Sequence, residues 1–452
     1  MTTSYFPTTK LPGPGERITW SGLHGAADAL AVTELASQNA ALVLVITRDS
    51  ARATRWQNAA AFFAPTTTAL HFPDWETLPY DAFSPHQDIV SERLATLREL
   101  PQNPQGILTV PVTTLLQRVC PLPFLAGASF DFKQGQTLDV NAQRMTLDAA
   151  GYQNSDTVTE RGQYTVRGSV MDIYPMGADL PVRLDLFDEE IDSLRTFDPE
   201  NQRTIEKIDR LQLLPAKEFP FDDAAVARFR DRWHHAFNVD VRRCSVYQDV
   251  SSHIVPNGVE YYLPFFFDEL GTLFDYLPDH VAVILEPGVL AAAQHQLDEI
   301  AARYESLRHD VERPILPPER LFLTLDELHR LLNVHPRIDL TASPGKHDVA
   351  FGSLALPDLE MNPRSTHPAE KLTSFVSGQQ PAVLFVAESA GRREMFDELL
   401  RKAGIQTSII NGFEDFPGTQ GHCITTADLD EGLHLPNLTL ITETDVLGTR
   451  QT

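Results

Sequence analysis

The amino-acid sequence predicts an α/β protein in which a parallel-sheet domain is interrupted by an α+β insert and followed by a small separate α/β domain. Helix and strand patterns alternate from Gly22 to about Arg118, which is typical of a parallel sheet covered by helices. A strand-rich stretch follows, and alternation then returns. We expect a first domain at 1–129 and 216–335, an insert at 130–215, a linker at 336–368 and a last domain at 369–452.

Hydrophobic periodicity places the elements of the first domain. The predicted helices are Ala26–Ala36, Ala51–Phe63, Gln87–Arg98, Thr113–Arg118, Ala224–His235 and Leu290–His309. The predicted strands are Ala41–Ile46, Ala69–Phe72, Gly106–Val112 and Val281–Leu285.

The insert and the last domain have their own patterns. In the insert we expect a helix at Ala142–Ala150 and strands at Gln163–Ile173 and Leu180–Phe187, joined by a turn at Pro175–Ala178. The segment 336–368 is rich in Pro, Ser, Asn and His, which indicates a linker. The last domain has predicted strands and a helix at Ala382–Ala387, Ser389–Ala403, Thr407–Asn411 and Leu438–Thr442.

Composition limits the possible partners. With 37 basic and 62 acidic residues the formal net charge is −25, and no basic run offsets it, so direct nucleic-acid binding is disfavoured.

The three cysteines, Cys120, Cys244 and Cys423, are widely spaced, so the sequence predicts no disulfide and no zinc site. The absence of an apolar signal or membrane-spanning stretch predicts a cytoplasmic protein without a membrane partner. The last residues, Val446–Thr452, do not resemble a domain end, so we expect further chain beyond them.

The first predicted helix begins where a RecA-type helicase domain would carry its phosphate loop. Such a loop needs glycines for close approach, a Lys for the phosphates and a hydroxyl for magnesium. Gly22 and Gly25 are present, but Asp28 and Ala29 stand in the places of the Lys and the hydroxyl. A carboxylate there repels a triphosphate. We therefore expect a degenerate, non-functional loop, with no catalytic residue, cofactor or metal.

Two further motifs resemble sites but have simpler explanations. Gly345-Lys346 lacks the earlier glycine and the following hydroxyl of a phosphate loop. Asp188–Glu190 follows a strand, where a solvated turn is expected rather than a metal site. His234-His235 is expected to be solvated, Phe265–Phe267 to be buried in packing, and Arg392-Arg393 to lie on an exposed helix face.

Strand alternation in the insert places Arg167, Arg183 and Phe187 on its outer face. Tyr164, Val166 and Val170 are expected on the inner face of the first strand. An exposed Phe beside two Arg is typical of a protein interface, because aromatic and Arg side chains dominate interface energetics. Arg also pairs with carboxylates, which predicts an acidic patch on the partner. The structural alternative is that Phe187 caps the strand end, while the arginines pair with Asp185, Asp188 or Glu189.

Two stretches carry a family resemblance. They are WETLPYDAFSPHQDIVSERL at 75–94, and RGSVMDIYP at 167–175 followed by RLDLFDEEIDSL at 183–194. Together they resemble the bacterial transcription-repair coupling factors, and the second also resembles the UvrA-binding domain of the repair helicase UvrB. The likeness runs from about residue 20 to 452 and is weaker after about residue 340.

The resemblance implies a UvrB-like module whose insert binds UvrA through Arg167, Arg183 and Phe187. It also implies that this surface is masked by a distant part of the full-length protein, and that an ATP-driven translocase and the contacts with DNA and RNA polymerase lie beyond Thr452. The sequence departs from UvrB at the phosphate loop. It also leaves little room between Phe83 and Arg98 for UvrB's long DNA-gripping hairpin. The expected function is a non-catalytic platform that recruits UvrA; the alternatives are a divergent ATPase or helicase and a damaged-DNA-binding module.

Overall fold

A computed structural model describes residues 4–7, 9–128, 130–341, 348–362, 364–379, 382–417, 419 and 421–448. The Gly345-Lys346 motif lies outside these residues. Within them, no helix combines the length and the apolar character needed to cross a membrane.

The strands, in chain order, are β1 (Arg17–Ser21), β2 (Leu42–Thr47), β3 (Ala69–His71), β4 (Gly106–Pro111), β5 (Phe130–Lys133), β6 (Gln153–Asn154), β7 (Gln163–Arg167), β8 (Val170–Ile173), β9 (Val182–Phe187), β10 (Glu190–Phe197), β11 (Thr204–Ile208), β12 (Arg210–Leu213), β13 (Val281–Leu285), β14 (Arg337–Thr341), β15 (Asp348–Ala350), β16 (Val383–Ala387), β17 (Thr407–Ile409), β18 (His422–Thr426), β19 (Leu433–Leu435) and β20 (Leu438–Thr442). The helices are α1 (Ala27–Asn39), α2 (Ser50–Phe63), α3 (Gln87–Glu99), α4 (Val112–Leu115), α5 (Leu122–Gly127), α6 (Val140–Ala149), α7 (Asp223–Ala236), α8 (Ser245–Ser251), α9 (Val289–Leu307), α10 (Leu325–Val334), α11 (Glu370–Ser377), α12 (Ala390–Lys402) and α13 (Glu443–Leu447).

The first domain is built on a seven-stranded sheet in the order β15-β1-β14-β13-β2-β4-β3. Each neighbouring pair is parallel, which confirms the predicted class of sheet. Every residue of β2, β4 and β13 is buried, as expected for parallel strands covered on both faces. The second part of the chain supplies β13 and β14, so the insert interrupts the sheet in sequence.

Alternate residues of β2 serve two different hydrophobic cores. Leu42, Leu44 and Ile46 pack in the core that continues into the insert. Val43 and Val45 pack in the core that contains α1, α2 and strands of the last domain. The large sheet is therefore the middle layer of the molecule. The insert shares a core with one face of this sheet, and the last domain shares a core with the other.

The insert contains a six-stranded sheet in the order β11-β10-β9-β8-β7-β6 and a two-stranded ribbon of β5 and β12. The expected single strand Gln163–Ile173 was wrong, because β7 and β8 form an antiparallel hairpin with Arg167 opposite Val170. The turn between them is Gly168-Ser169, in which Gly168 has a φ of +61° that favours glycine. The turn reverses the strand direction, so Val170 lies on the face of Arg167 rather than with Tyr164.

The last domain has a five-stranded sheet in the order β17-β18-β16-β20-β19. It is not separate in its packing, since Leu384, Leu433 and Leu440 share a core with Trp56 and Leu30 of the first domain. The segment 336–368, expected to be a linker, contains β14 and β15 of the large sheet. Its many turn-forming residues obscured two short strands that have no clear periodicity of their own.

Candidate functional site: an arginine face and an occupied loop

The outer face of the insert sheet presents two rows of side chains. Register places Thr165, Asp172, Arg183 and Arg195 side by side in one row across four strands. The adjacent row contains Arg167, Val170, Asp185 and Ser193. Residues directly opposite each other in paired strands share a face, so Arg167 and Arg183 both point outward.

Phe187 ends β9 on the same face and is 75% exposed. Its neighbours on the strand alternate as predicted, with Val182, Leu184 and Leu186 buried. The chain then turns at Asp188, whose φ is +54°. Phe187 is thus a large apolar side chain in solvent on the same face of the sheet as the two arginines.

Arg167 and Arg183 both bind the carboxylate of Asp172, which the sequence did not predict as part of the site. Asp172 is fully buried on β8. It accepts hydrogen bonds from Arg183 Nε at 2.7 Å and Nη2 at 2.9 Å, and from Arg167 Nη2 at 3.1 Å. These bonds raise the pKa of the Arg183 guanidinium. The sequence signal for it was a single Asp within an otherwise apolar strand.

Asp185, Asp188 and Glu189, the carboxylates that could have paired with these arginines, have other positions and contacts. Asp185 accepts a hydrogen bond from Ser193 at 2.7 Å and also pairs with Arg195. Asp188–Glu190 forms the β9–β10 turn and start of β10, as the solvated-turn reading predicts. Asp172 therefore holds Arg167 and Arg183, while Asp185 holds their neighbour.

The loop that the sequence predicts to be a degenerate phosphate loop lies between β1 and α1 and is in contact with other parts of the chain. The Ala26 amide donates to the Gly432 carbonyl at 3.0 Å, and the His24 amide donates to Ser353 Oγ at 3.1 Å. In a working loop, such amides face phosphate oxygens. Here these two N–H groups bind an acceptor from the last domain and one from the segment before it.

The two glycines of the loop have a structural role. Gly22 has a φ of +70° and Gly25 a φ of +59°, a region that side chains other than glycine rarely adopt. A Cβ on Gly22 would collide with the Phe351 carbonyl, and one on Gly25 with the Gly432 carbonyl. These two glycines therefore allow close backbone approach to Phe351, which follows β15, and to Gly432 of the last domain.

Polar side chains surround this junction. Arg52 donates through Nε to the buried carboxylate of Glu286 at 2.8 Å, and Trp56 Nε1 donates to the same oxygen at 2.8 Å. Arg55 reaches Glu431 of the last domain at 2.7 Å. The cavity left beside Asp28 and Ala29 measures about 10 Å³, close to the smallest space that holds one water molecule.

Asp28 is enclosed at this junction. Its carboxylate accepts from the Ala29 amide at 2.7 Å and lies 3.9 Å from Arg52. Burial raises the pKa of Asp28 from 3.8 to about 6, against the opposing influence of the nearby arginines. Part of the Asp28 population therefore carries a proton near pH 6.

The remaining candidates lie outside both regions. Phe265, Phe266 and Phe267 are buried in the main core, as expected. His234 and His235 are exposed on α7. No group of His, Cys, Asp or Glu with a metal-binding arrangement occurs among the described residues. Arg392, expected on an exposed helix face, is only 30% exposed at its side chain and pairs with the buried Glu443 at 2.6 Å.

Comparison with known proteins matches two regions of the chain to family models. The UvrB interaction domain matches residues 130–219, and the D3 domain of MFD matches residues 375–446. The fold and these matches define a protein whose insert is a UvrB interaction domain.

Whole-chain relatives give the family. The transcription-repair-coupling factor of Escherichia coli K12 is 41% identical over 442 residues, covering 96% of this chain and 38% of that protein. The protein of the same name from Haemophilus influenzae is 36% identical over 458 residues, covering all of this chain and 40% of the relative. A Bacillus subtilis relative is 23% identical over 302 residues. The chain belongs to the transcription-repair-coupling factor family and spans about two fifths of the length of its first two relatives.

Substituting Gly25→Ala should loosen the contact between the first and last domains. The added Cβ would meet the Gly432 carbonyl, and the positive φ would be strained. We expect a loss of about 2–5 kcal/mol in unfolding free energy, combining backbone strain and overpacking. Urea unfolding measures the loss, and faster proteolysis within 348–368 would report the loosened contact.

Gly404→Ala is the matched control. Gly404 also has a positive φ of +83°, but a Cβ there has open space around it. This variant should lose only about 1 kcal/mol, from backbone strain alone. Equal losses in the two variants would contradict a close approach at Gly25.

The Asp28 carboxyl should make stability depend on pH between about 4 and 6. Its pKa is raised on folding, so in this window the folded state holds a proton that the unfolded state has released. The Asp28 contribution to stability therefore falls as pH rises through this window and stays lost above it. Asp28→Asn removes the effect and should gain up to about 3 kcal/mol over wild type between pH 4 and 7.

Urea unfolding of both proteins at several pH values measures this difference, since the other carboxylates contribute equally to each. A difference that is independent of pH would contradict the raised pKa.

Proposed function

We propose that this chain is a non-catalytic platform that recruits the nucleotide-excision repair protein UvrA to sites of stalled transcription. The observation that carries the proposal is the outer face of the insert, where Asp172 holds Arg167 and Arg183 and where Phe187 is exposed on the same face. This face belongs to the region that matches the UvrB interaction domain. Arg and aromatic side chains supply most hot spots in protein interfaces.

The chemistry of the face indicates an acidic partner surface. Arg183 uses its Nε and Nη2 for Asp172, and Arg167 uses its Nη2. The other N–H groups of these guanidinium groups are directed to no acceptor among the described residues. A partner carboxylate can accept from them, while an apolar pocket elsewhere on the partner surface receives Phe187.

The proposed role for the first domain is structural support. Its loop geometry supports the loss of nucleotide chemistry, because Asp28 replaces the phosphate-binding Lys and a cavity of about 10 Å³ remains beside it. Small-molecule sites usually enclose about 300–1,000 Å³. We interpret the domain as a degenerate helicase-like scaffold that carries the insert.

The other activities of the coupling factor are proposed to lie outside this chain. These are ATP-driven translocation on DNA, displacement of RNA polymerase, and an intramolecular contact that masks the UvrA-binding face. The net charge of −25 supports this division, since an acidic surface disfavours contact with a phosphate backbone. The short segment between β3 and α3 contains no strand in the described structure, which supports the absence of a DNA-gripping hairpin.

Removing the three side chains of the face together should abolish most UvrA binding. The triple variant Arg167→Ala, Arg183→Ala, Phe187→Ala should bind purified UvrA about a hundredfold more weakly or worse, because each side chain is of the hot-spot type. Isothermal titration calorimetry measures the affinity, and circular dichroism checks that the variant is folded.

Met145→Ala is the control for this experiment. Met145 is 68% exposed on α6, a helix joined to the opposite face of the insert sheet by the hydrogen bond that the Tyr164 hydroxyl donates to Asp148. Its removal should leave UvrA affinity unchanged. A folded triple variant with wild-type affinity would show that the binding surface lies elsewhere.

The platform proposal also predicts no productive nucleotide site. Titration of the chain with ATP and magnesium should give no saturable binding up to ~1 mM, the upper end of ordinary substrate affinities. Saturable binding that requires magnesium and is lost in Ala26→Pro, which removes the loop amide, would instead support the divergent ATPase.

A further inference from the structure

We propose that Asp172 is a positioning residue for the UvrA interface, which it serves from beneath the surface by fixing Arg167 and Arg183 in their binding orientation. The inference rests on the proposed function and extends it to a residue that cannot itself touch the partner. Asp172 has no exposed surface, and its two carboxylate oxygens accept all three hydrogen bonds from the arginines.

The arrangement fixes Arg183 on two sides. Its Nε–Nη2 edge forms a bidentate pair with Asp172. Its guanidinium carbon also lies 4.7 Å from the centroid of the fully buried Phe197 ring. A guanidinium group held along one edge and one face has little rotational freedom, and Nη1 remains for a partner.

Arg167 is held less tightly and is more open. One nitrogen contacts Asp172, and 56% of its side chain is exposed. The Asp172 carboxylate lies between the two guanidinium groups, and its negative charge offsets their mutual repulsion. Arg167, Arg183 and Asp172 together carry one net positive charge, which suits an acidic partner surface.

Stability alone does not account for a charged group at this position. A buried ion pair is often no more stabilising than apolar side chains of similar volume, because desolvation offsets its attraction. Val170, which lies two residues earlier on the same outer face of β8, shows that this face also accommodates an apolar side chain. What the carboxylate adds is orientation, and fixing long side chains before binding reduces the entropy lost on association.

A double-mutant cycle tests the inference. UvrA affinity is measured for wild type, Asp172→Asn, Arg167→Ala with Arg183→Ala, and the combination of all three, at a temperature where circular dichroism shows each variant folded. Asp172→Asn should weaken binding about tenfold in the wild-type background. In the background that lacks both arginines it should change affinity less than about twofold, because the side chains it positions are gone.

Asp131→Asn is the matched control. Asp131 also pairs with an arginine of the insert, Arg210, but on the β5–β12 ribbon rather than on the outer face. This variant should keep wild-type affinity, whereas a general effect of losing an aspartate–arginine pair would weaken it as well.

The outcomes separate the two proposals. If the arginine double variant loses affinity while Asp172→Asn keeps or improves it, Asp172 has no positioning role and the UvrA-binding face stands. Equal losses from Asp172→Asn in both backgrounds would also overturn the inference, since the effect would not act through the arginines. If the arginine double variant binds like wild type, the proposed face itself is wrong.

Discussion

A backbone contact between the Ala26 amide and the Gly432 carbonyl joins the two α/β sheets of the molecule. The amides at the start of a helix need acceptors, and in a phosphate-binding loop an anion supplies them. Here a carbonyl of the same chain takes that position. The close approach requires glycine at Gly25 and at Gly432, because a Cβ on Gly25 would collide with the Gly432 carbonyl and one on Gly432 with the Leu440 carbonyl. The packing of the last domain against α1 and α2 depends on this approach.

The large parallel sheet separates this junction from the insert. Alternate residues of β2 face two cores, one continuous with the insert and the other with the last domain. The proposed partner face therefore belongs to a domain that packs on one side of the sheet, while the loop between β1 and α1 is enclosed on the other. A scaffold that is packed on both faces gives the insert a rigid base.

The sequence was sufficient for features that depend on local pattern. Alternating apolar residues located the parallel strands and the outward direction of Arg183 and Phe187, because strand geometry fixes which side chains share a face. It failed where a turn or a tertiary contact decides the result. The Gly168-Ser169 hairpin moved Val170 to the other face, and β14 joined the large sheet from a segment that lacked periodicity. Asp172 was missed because its role comes from residues on two neighbouring strands.

The ends of the insert lie side by side. Its entering strand β5 and its leaving strand β12 form an antiparallel ribbon, with Phe130 opposite Leu213 and Lys133 opposite Arg210. A segment whose two ends are already paired adds little closure entropy to the host domain, however long it is. The paired stem therefore lets the segment between its two strands change in length at little entropic cost to the domain that carries it.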